Sequence, residues 1–184
     1  MREMRRKDRL VTDEKEIRAI LDACGIVRLG LYDEGRIYIV PVNYSYTYEK
    51  GKLTLYFHGA KAGLKKELIE KDGRAGFEMD TGDHVVPHKT NPALFTTAYM
   101  SIIGSGRITI IRDKEEAKDI MTGFMKQISG KDWTITDNML EGCLVYKLEA
   151  EEFQTKKNSP KVRNKKRNQK DAPHRASFYF CFIC

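Results

Sequence analysis

The groups best able to bind or react are concentrated between Tyr38 and Lys66. Tyr56-Phe57-His58 is a β-rich run that ends on Gly59-Ala60, and a helical stretch from Lys61 to Lys71 follows, with Leu64, Leu68 and Ile69 at helical spacing. Where a strand passes through glycine into a helix, the helix's first amides have no backbone partner and its dipole favours an anion. The small residues let a ligand come close to the chain. Lys65 and Lys66, one turn in, supply the point charge that a phosphate monoester needs. The same residues also suit an ordinary strand-to-helix turn with solvated lysines, and local features alone leave both readings open. Upstream, Tyr38, Tyr44, Tyr46 and Tyr48 surround Pro41 and Asn43. Such aromatics stack on a planar ring or fill a core or a dimer interface. A proline inside a strand marks an edge, a bulge, or a neighbour that is not a strand, such as a ligand.

Other chemistry is thinner. His84 and His88 are four apart but lie in a Pro-flanked stretch, so a metal there would need Asp80 or Asp83 as well, and no metal is expected. Cys24 falls on an apolar helical face and Cys143 in an apolar run, and both read as small buried hydrophobes. Cys181-Phe182-Ile183-Cys184 has no second pair or His partner for zinc; it has the outline of a prenylation signal, but its last residue is unusual for one, and it reads as a dispensable end. The sequence lacks a Gly-x-Gly-x-x-Gly fingerprint, a Gly-Lys-Ser/Thr phosphate loop and a Gly-x-Ser-x-Gly elbow, which removes the Rossmann, nucleotide-hydrolase and α/β-hydrolase readings.

The elements that must position these residues are mostly strands. Asp13 with Glu16 resembles a capping box, and Ile17, Ile20, Leu21 and Cys24 form one helical face that Gly25 ends. Strands are expected over 26–31, over 37–48 with Pro41 as an interruption, over 53–58, 75–80, 99–112 and 143–153. A second long helix, capped by Asp113, runs to about Ile128 with Ala117, Ile120, Met121, Phe124 and Ile128 inward. Residues 81–98 show no period and carry Gly82, Pro87 and Pro92, which predicts a long loop. Six or so strands with a few helices point to a small antiparallel barrel.

Composition agrees. A chain of 184 residues, 41% hydrophobic and 32% charged, suits one globular domain. It has no apolar stretch approaching the roughly 18–20 residues that span a bilayer, and its charged first residues are not those of a secretory signal, so no membrane association and a cytoplasmic location are expected. The net charge of +7 sits at one end: residues 156–184 hold nine basic groups and one acid, leaving 24 basic and 25 acidic groups over 1–155. A basic run without apolar periodicity reads as a solvated tail, and nucleic acid is not the expected partner. The division is a domain over 1–157 and a basic tail over 158–184.

Taken in order, Arg28-Leu29-Gly30-Leu31, Tyr38-Ile39-Val40-Pro41-Val42-Asn43-Tyr44, Tyr56 to Ala60 with Gly63 and Lys65, Phe77-Glu78, and Tyr99-x-Ser101-Ile102-Ile103-Gly104-x-Gly106 resemble the pyridoxamine 5′-phosphate oxidase-like flavoprotein superfamily, nearest its nitroimidazole-resistance branch. The resemblance covers residues 5–157. It implies a mainly β fold, a six-stranded antiparallel, Greek-key-like split barrel that forms a homodimer with FMN in two clefts between protomers. By the same resemblance Val40, Pro41, Val42 and Asn43 lie along the flavin ring, Phe57 and His58 begin its phosphate end, Lys65 and, more weakly, Lys66 meet the phosphate, and Ser101 meets the flavin with a polar side chain. The implied activity is an oxidoreductase passing electrons from a transiently bound nicotinamide or other reductant to a small planar acceptor, nitroimidazole or pyridoxamine-phosphate-like. The alternative is a non-catalytic flavin- or haem-binding, or haem-degrading, protein with His58, His84 or His88 as axial ligand. No catalytic residue is singled out. The sequence departs from the branch at Pro92-Ala93-Leu94-Phe95, which has no cysteine, and at Thr155-Lys156-Lys157, which lacks the glycine of the closing turn.

Overall fold

The computed structural model describes residues 2–160; the tail beyond them, with Cys181 and Cys184, lies outside the described residues. The described residues form eight strands, β1 Leu10–Val11, β2 Val27–Asp33, β3 Arg36–Val42, β4 Ser45–Glu49, β5 Lys52–Ala60, β6 Arg74–Val86, β7 Thr96–Ile111 and β8 Cys143–Asn158, and helices α1 Glu14–Ala23, between β1 and β2, α2 Leu64–Lys71, between β5 and β6, and α3 Lys114–Ser129 and α4 Asp137–Leu140, between β7 and β8. The sheet order is β3-β2-β6-β7-β8-β5-β4, antiparallel throughout, with β1 added to β8. The β2–β6 and β5–β8 neighbours are Greek-key crossovers.

The two outer strands of this order, β3 and β4, are consecutive in the chain and separated by Asn43 and Tyr44 alone. They are two halves of one bent strand, the segment over 37–48 that Pro41 interrupts in the sequence. Counted as one, they close a six-stranded barrel, as expected. The register fixes its stagger. From Asn43, extending the pairing through β2 and β6 leads to Ser101 on β7. Extending it the other way, through β5 and β8, leads to Ile111, ten residues further along that strand. Strands in a closed barrel must be offset in this way.

Strand alternation puts Val27, Leu29 and Leu31, Leu53, Leu55 and Phe57, and Ala75, Phe77 and Met79 inside, where Ile17, Ile20 and Leu21 of α1 join them. Asp13 and Asp113 cap α1 and α3, accepting from Glu16 N at 2.9 Å and Glu116 N at 2.8 Å. Each such cap contributes about 1 kcal/mol. A smaller core of Ile111, Ala117, Met121, Phe124 and Val145 fixes α3 to the outside of the barrel. Ile128, expected inward, lies beyond this core near the end of the helix and is exposed.

Two expectations need correction. Residues 81–98 are not a long loop: β6 and β7 continue through them as a hairpin arm that pairs Val86 with Thr96. A register shift between Thr81 and His84, with Gly82 at φ +84°, breaks the alternation that would have revealed the strands. Only 87–95 form the tip, with a 3-10 turn at Pro92–Leu94. The C-cap of α1 is Cys24 in extended conformation, so Gly25 is not needed for a left-handed turn.

Candidate functional site

The barrel's closure brings the two halves of the sequence-predicted site together. Extended by two residues, the β4–β5 register sets Asn43 beside His58, so Val40 to Asn43 run into the corner where β5 ends and α2 begins. As an edge strand, β3 has one row of backbone groups facing away from β2. Pro41 and Asn43 are exposed, while Val40 and Val42 are half-buried. Asn43 donates from Nδ2 to Gly25 O at 3.2 Å, which anchors the bend.

Lys65 reaches back from α2 across Gly59. It donates to His58 O at 3.4 Å, and its amine lies 5.8 Å and 5.6 Å from the ring centres of Phe57 and Tyr146. Those rings are stacked, 5.1 Å apart and fully buried. Phe57 can therefore meet a ligand through its backbone only. The space that Gly59 leaves open is used by this chain's own lysine. Gly63, at φ +114°, begins α2 without a side-chain cap. Lys66 points elsewhere, pairing with Glu70 one turn on.

The His58 ring faces outward beneath α3, edge-on to Phe124 at 5.2 Å. Its Nδ1 is buried without a hydrogen-bond partner. Burial, then the Lys65 charge, holds its pKa below the ordinary value of 6.5, so the ring is neutral at pH 7. Burial pushes the Cys24 thiol up to about 12, with Asp80 and Glu78 adding to it, so the thiolate is not populated at neutral pH. Cys143 is likewise buried. His84 is exposed, and His88 Nδ1 accepts from Asn91 N at 3.2 Å in the hairpin tip. Among the described residues no three His, Cys, Asp or Glu side chains gather as they would around a metal.

Ser101 does not join this corner. It is three strands from Asn43, roughly 14 Å at about 4.8 Å per spacing. On the same face Gly30, Gly76 and Ser105 stand in line from Ile39, a row with little side-chain relief. Tyr32, Ile37, Ile39 and Ile103 are exposed around it, the isoleucines of β3 at 64%. Arg28 spans it, bonded to Glu78 at 3.0 Å and Asp80 at 2.7 Å. Burial, with help from Asp80, lifts the Glu78 carboxyl above its ordinary value despite Arg28.

Three groupings escaped the sequence reading, although Glu78, Asp80 and Tyr99 are each named in it. Tyr146, the partner of Phe57, lay in a strand with nothing to mark it. Glu78 and Asp80 carry a signal, since two carboxylates two apart on a strand share a face. Arg9, Tyr99 and Lys156 are brought together by β1, β7 and β8, and nothing local links them. A cavity of about 310 Å³ lies between α3, α4 and β8, over Ile111, Ala117, Leu140 and Val145, with Lys61 also in its lining. A cleft shared between two protomers would show only one wall in a single chain.

A sequence profile described as pyridoxamine 5′-phosphate oxidase matches residues 13–157. The chain belongs to the pyridoxamine 5′-phosphate oxidase family. No curated protein matches it. Among solved structures, a candidate 5-nitroimidazole antibiotic resistance protein from Bacteroides thetaiotaomicron is similar, at 21% identity and TM-score 0.69 over 80% of this chain and 85% of that one. A flavocytochrome from Azotobacter vinelandii matches at 17% identity and TM-score 0.70, over 93% and 89%. An FAD- and haem-binding protein from Mycobacterium smegmatis matches at 16% identity and TM-score 0.67, over 83% and 74%. At these identities the likeness is one of fold. The family's split barrel is the architecture described above. Among the described residues, no helix is long and apolar enough to cross a membrane.

Proposed function

We propose that this chain binds FMN at the β3–β5–α2 corner as a homodimer and acts as an oxidoreductase toward a small planar acceptor. The observation that carries the reading is the meeting, at one corner, of an unpaired strand edge, an uncapped helix N-terminus and the Lys65 amine. A Cβ on Gly59 would stand 2.8 Å from Lys65 Cε, so the glycine is what admits this cation to the corner. Family membership, and the flavin- and haem-binding proteins that share the fold, support the same reading.

Each part has a task. The first amides of α2 and the Lys65 charge hold the phosphate. Along Val40 to Asn43 the backbone groups that face away from β2, those of alternate residues, bond the edge of a planar ring, and Pro41 has no N–H to offer there. His58 stays neutral and braces the corner against Phe124. FMN, when bound, supplies the redox chemistry of its ring, with electrons from a nicotinamide or other reductant that binds in turn. No proton relay is assigned.

The bare face supports the homodimer. Exposed Tyr32, Ile37, Ile39 and Ile103 around a glycine-lined surface form the kind of apolar patch that a monomer rarely leaves open. A second copy packed there would exclude water and bring its own Ser101 toward the corner that lacks one. An absorbance spectrum of the purified protein, with mass identification of any released chromophore, tests the reading. Flavin bands and FMN are the expected result. A Soret band would move the assignment to haem, and a colourless protein that takes up no added FMN would end it.

A further inference from the structure

At the far end of β7, Tyr99 sits between two cations. Arg9, last residue of the 3-10 turn Lys7–Arg9, donates from Nη1 to Tyr99 Oη at 3.2 Å, with its guanidinium carbon 5.9 Å from the ring centre. Lys156, which β8 sets between Leu10 of β1 and Ser101 of β7, places Nζ 5.9 Å from the same centre. Neither cation has a carboxylate among the described residues. The nearby acids are committed elsewhere, Asp8 to Arg6 at 2.6 Å and Glu16 to Lys157 at 3.0 Å. Arg9 Nε is also buried without a partner.

Folded proteins seldom leave buried donors unbonded or gather charges of one sign without compensation. An oxyanion compensates both. A guanidinium offers a planar fork that matches carboxylate and phosphate, and an ammonium adds a point charge. Because Tyr99 Oη already accepts from Arg9, its own O–H remains to donate. Burial alone would raise the phenol's pKa, yet the Arg9 and Lys156 contacts outweigh it and hold the value below the ordinary 10. That shift reports the same positive field.

We infer that Arg9, Tyr99 and Lys156 form a binding site for a small oxyanion, the carboxylate or phosphate group of a ligand. Within one protomer the site is separate from the Lys65 corner; Lys156 is the strand partner of Ser101, so in the proposed dimer both lie toward the partner's corner.

Calorimetric titration of the full chain with inorganic phosphate, and in parallel with acetate, at constant ionic strength tests it. Saturable binding of one anion per chain is expected. It should persist in Lys65→Ala and fall about tenfold or more in Arg9→Gln and in Lys156→Gln. Arg9→Lys and Lys156→Arg, which keep charge and fold, should retain part of it. Phenol absorbance at 295 nm gives a second readout: a component titrating below the usual range should vanish in Tyr99→Phe and move up when phosphate is added. Binding of phosphate alone, or of both anions, supports the site and says which group it is shaped for. Absence of saturable binding, or binding lost in Lys65→Ala and kept in Arg9→Gln, overturns it.

Discussion

Lys65 occupies the space that Gly59 leaves open: a Cβ at position 59 would stand 2.8 Å from Lys65 Cε and closer still to its amine. The neighbour that would have to move is the end of a flexible side chain. Gly59→Ala should therefore cost under about 1 kcal/mol of stability while displacing the amine from the corner. Gly104→Ala is the contrast, because its Cβ would meet Glu152 O at 2.6 Å and Phe77 Cε1 at 2.7 Å, which cannot yield easily. A loss of about 1–3 kcal/mol is expected there. Thermal melts of the two variants check the order; equal losses would contradict it.

Replacing Lys65 by Ala should weaken FMN binding about 10- to 100-fold, the range for losing one charged hydrogen bond to a phosphate. Quenching of flavin fluorescence measures it. Lys66→Ala, already paired with Glu70, should change affinity little. Unchanged affinity in Lys65→Ala would remove that residue from the site.

His58 should make the fold sensitive to acid. Its folded pKa is depressed by burial and then by Lys65, so the unfolded chain takes up the proton more readily. The stability involved is fully present above the unfolded value of about 6.5 and is lost as pH falls from there through the folded value. Melting temperatures measured from pH 7.5 to 5.5 should drop, and the drop should be shallower in His58→Gln. Parallel slopes would show that another group titrates.

Ile37→Glu with Ile39→Glu should convert a dimer to monomers with little loss of monomer stability, since both side chains are 64% exposed in one protomer. Light scattering after gel filtration reports the mass. A variant that stays dimeric would place the interface elsewhere.

How much of this was legible depended on whether the signal was local. Asp13 and Asp113 announce their helices within four residues, and the caps are where the spacing puts them. Pro41 reads as an edge, a bulge or a neighbour other than a strand, and it lies on the edge strand β3; the break in the 37–48 segment falls two residues further on, at Asn43 and Tyr44. The arm over 81–98 was hidden because a bulge at Gly82 shifts the alternation by which strands are read. Lys65 could be named as a cation near β5, but its place over Phe57 and Tyr146 depends on Tyr146, far away in the chain. Arg9 and Lys156 carry no mutual signal, since only the β1–β8 pairing joins them.

That last strand also governs the order of assembly. β8 lies between β7 and β5, so until it is synthesised the chain holds two partial sheets, β3-β2-β6-β7 and β5-β4, joined covalently at Asn43 and Tyr44. Each then ends on a long strand with open hydrogen-bonding groups, the kind of edge that invites association between chains. Final closure has to bring residue 156 back to residue 10, a contact of high sequence separation that slows folding. A chain stopped short of residue 143 therefore lacks the strand that joins β7 to β5 and cannot close the barrel.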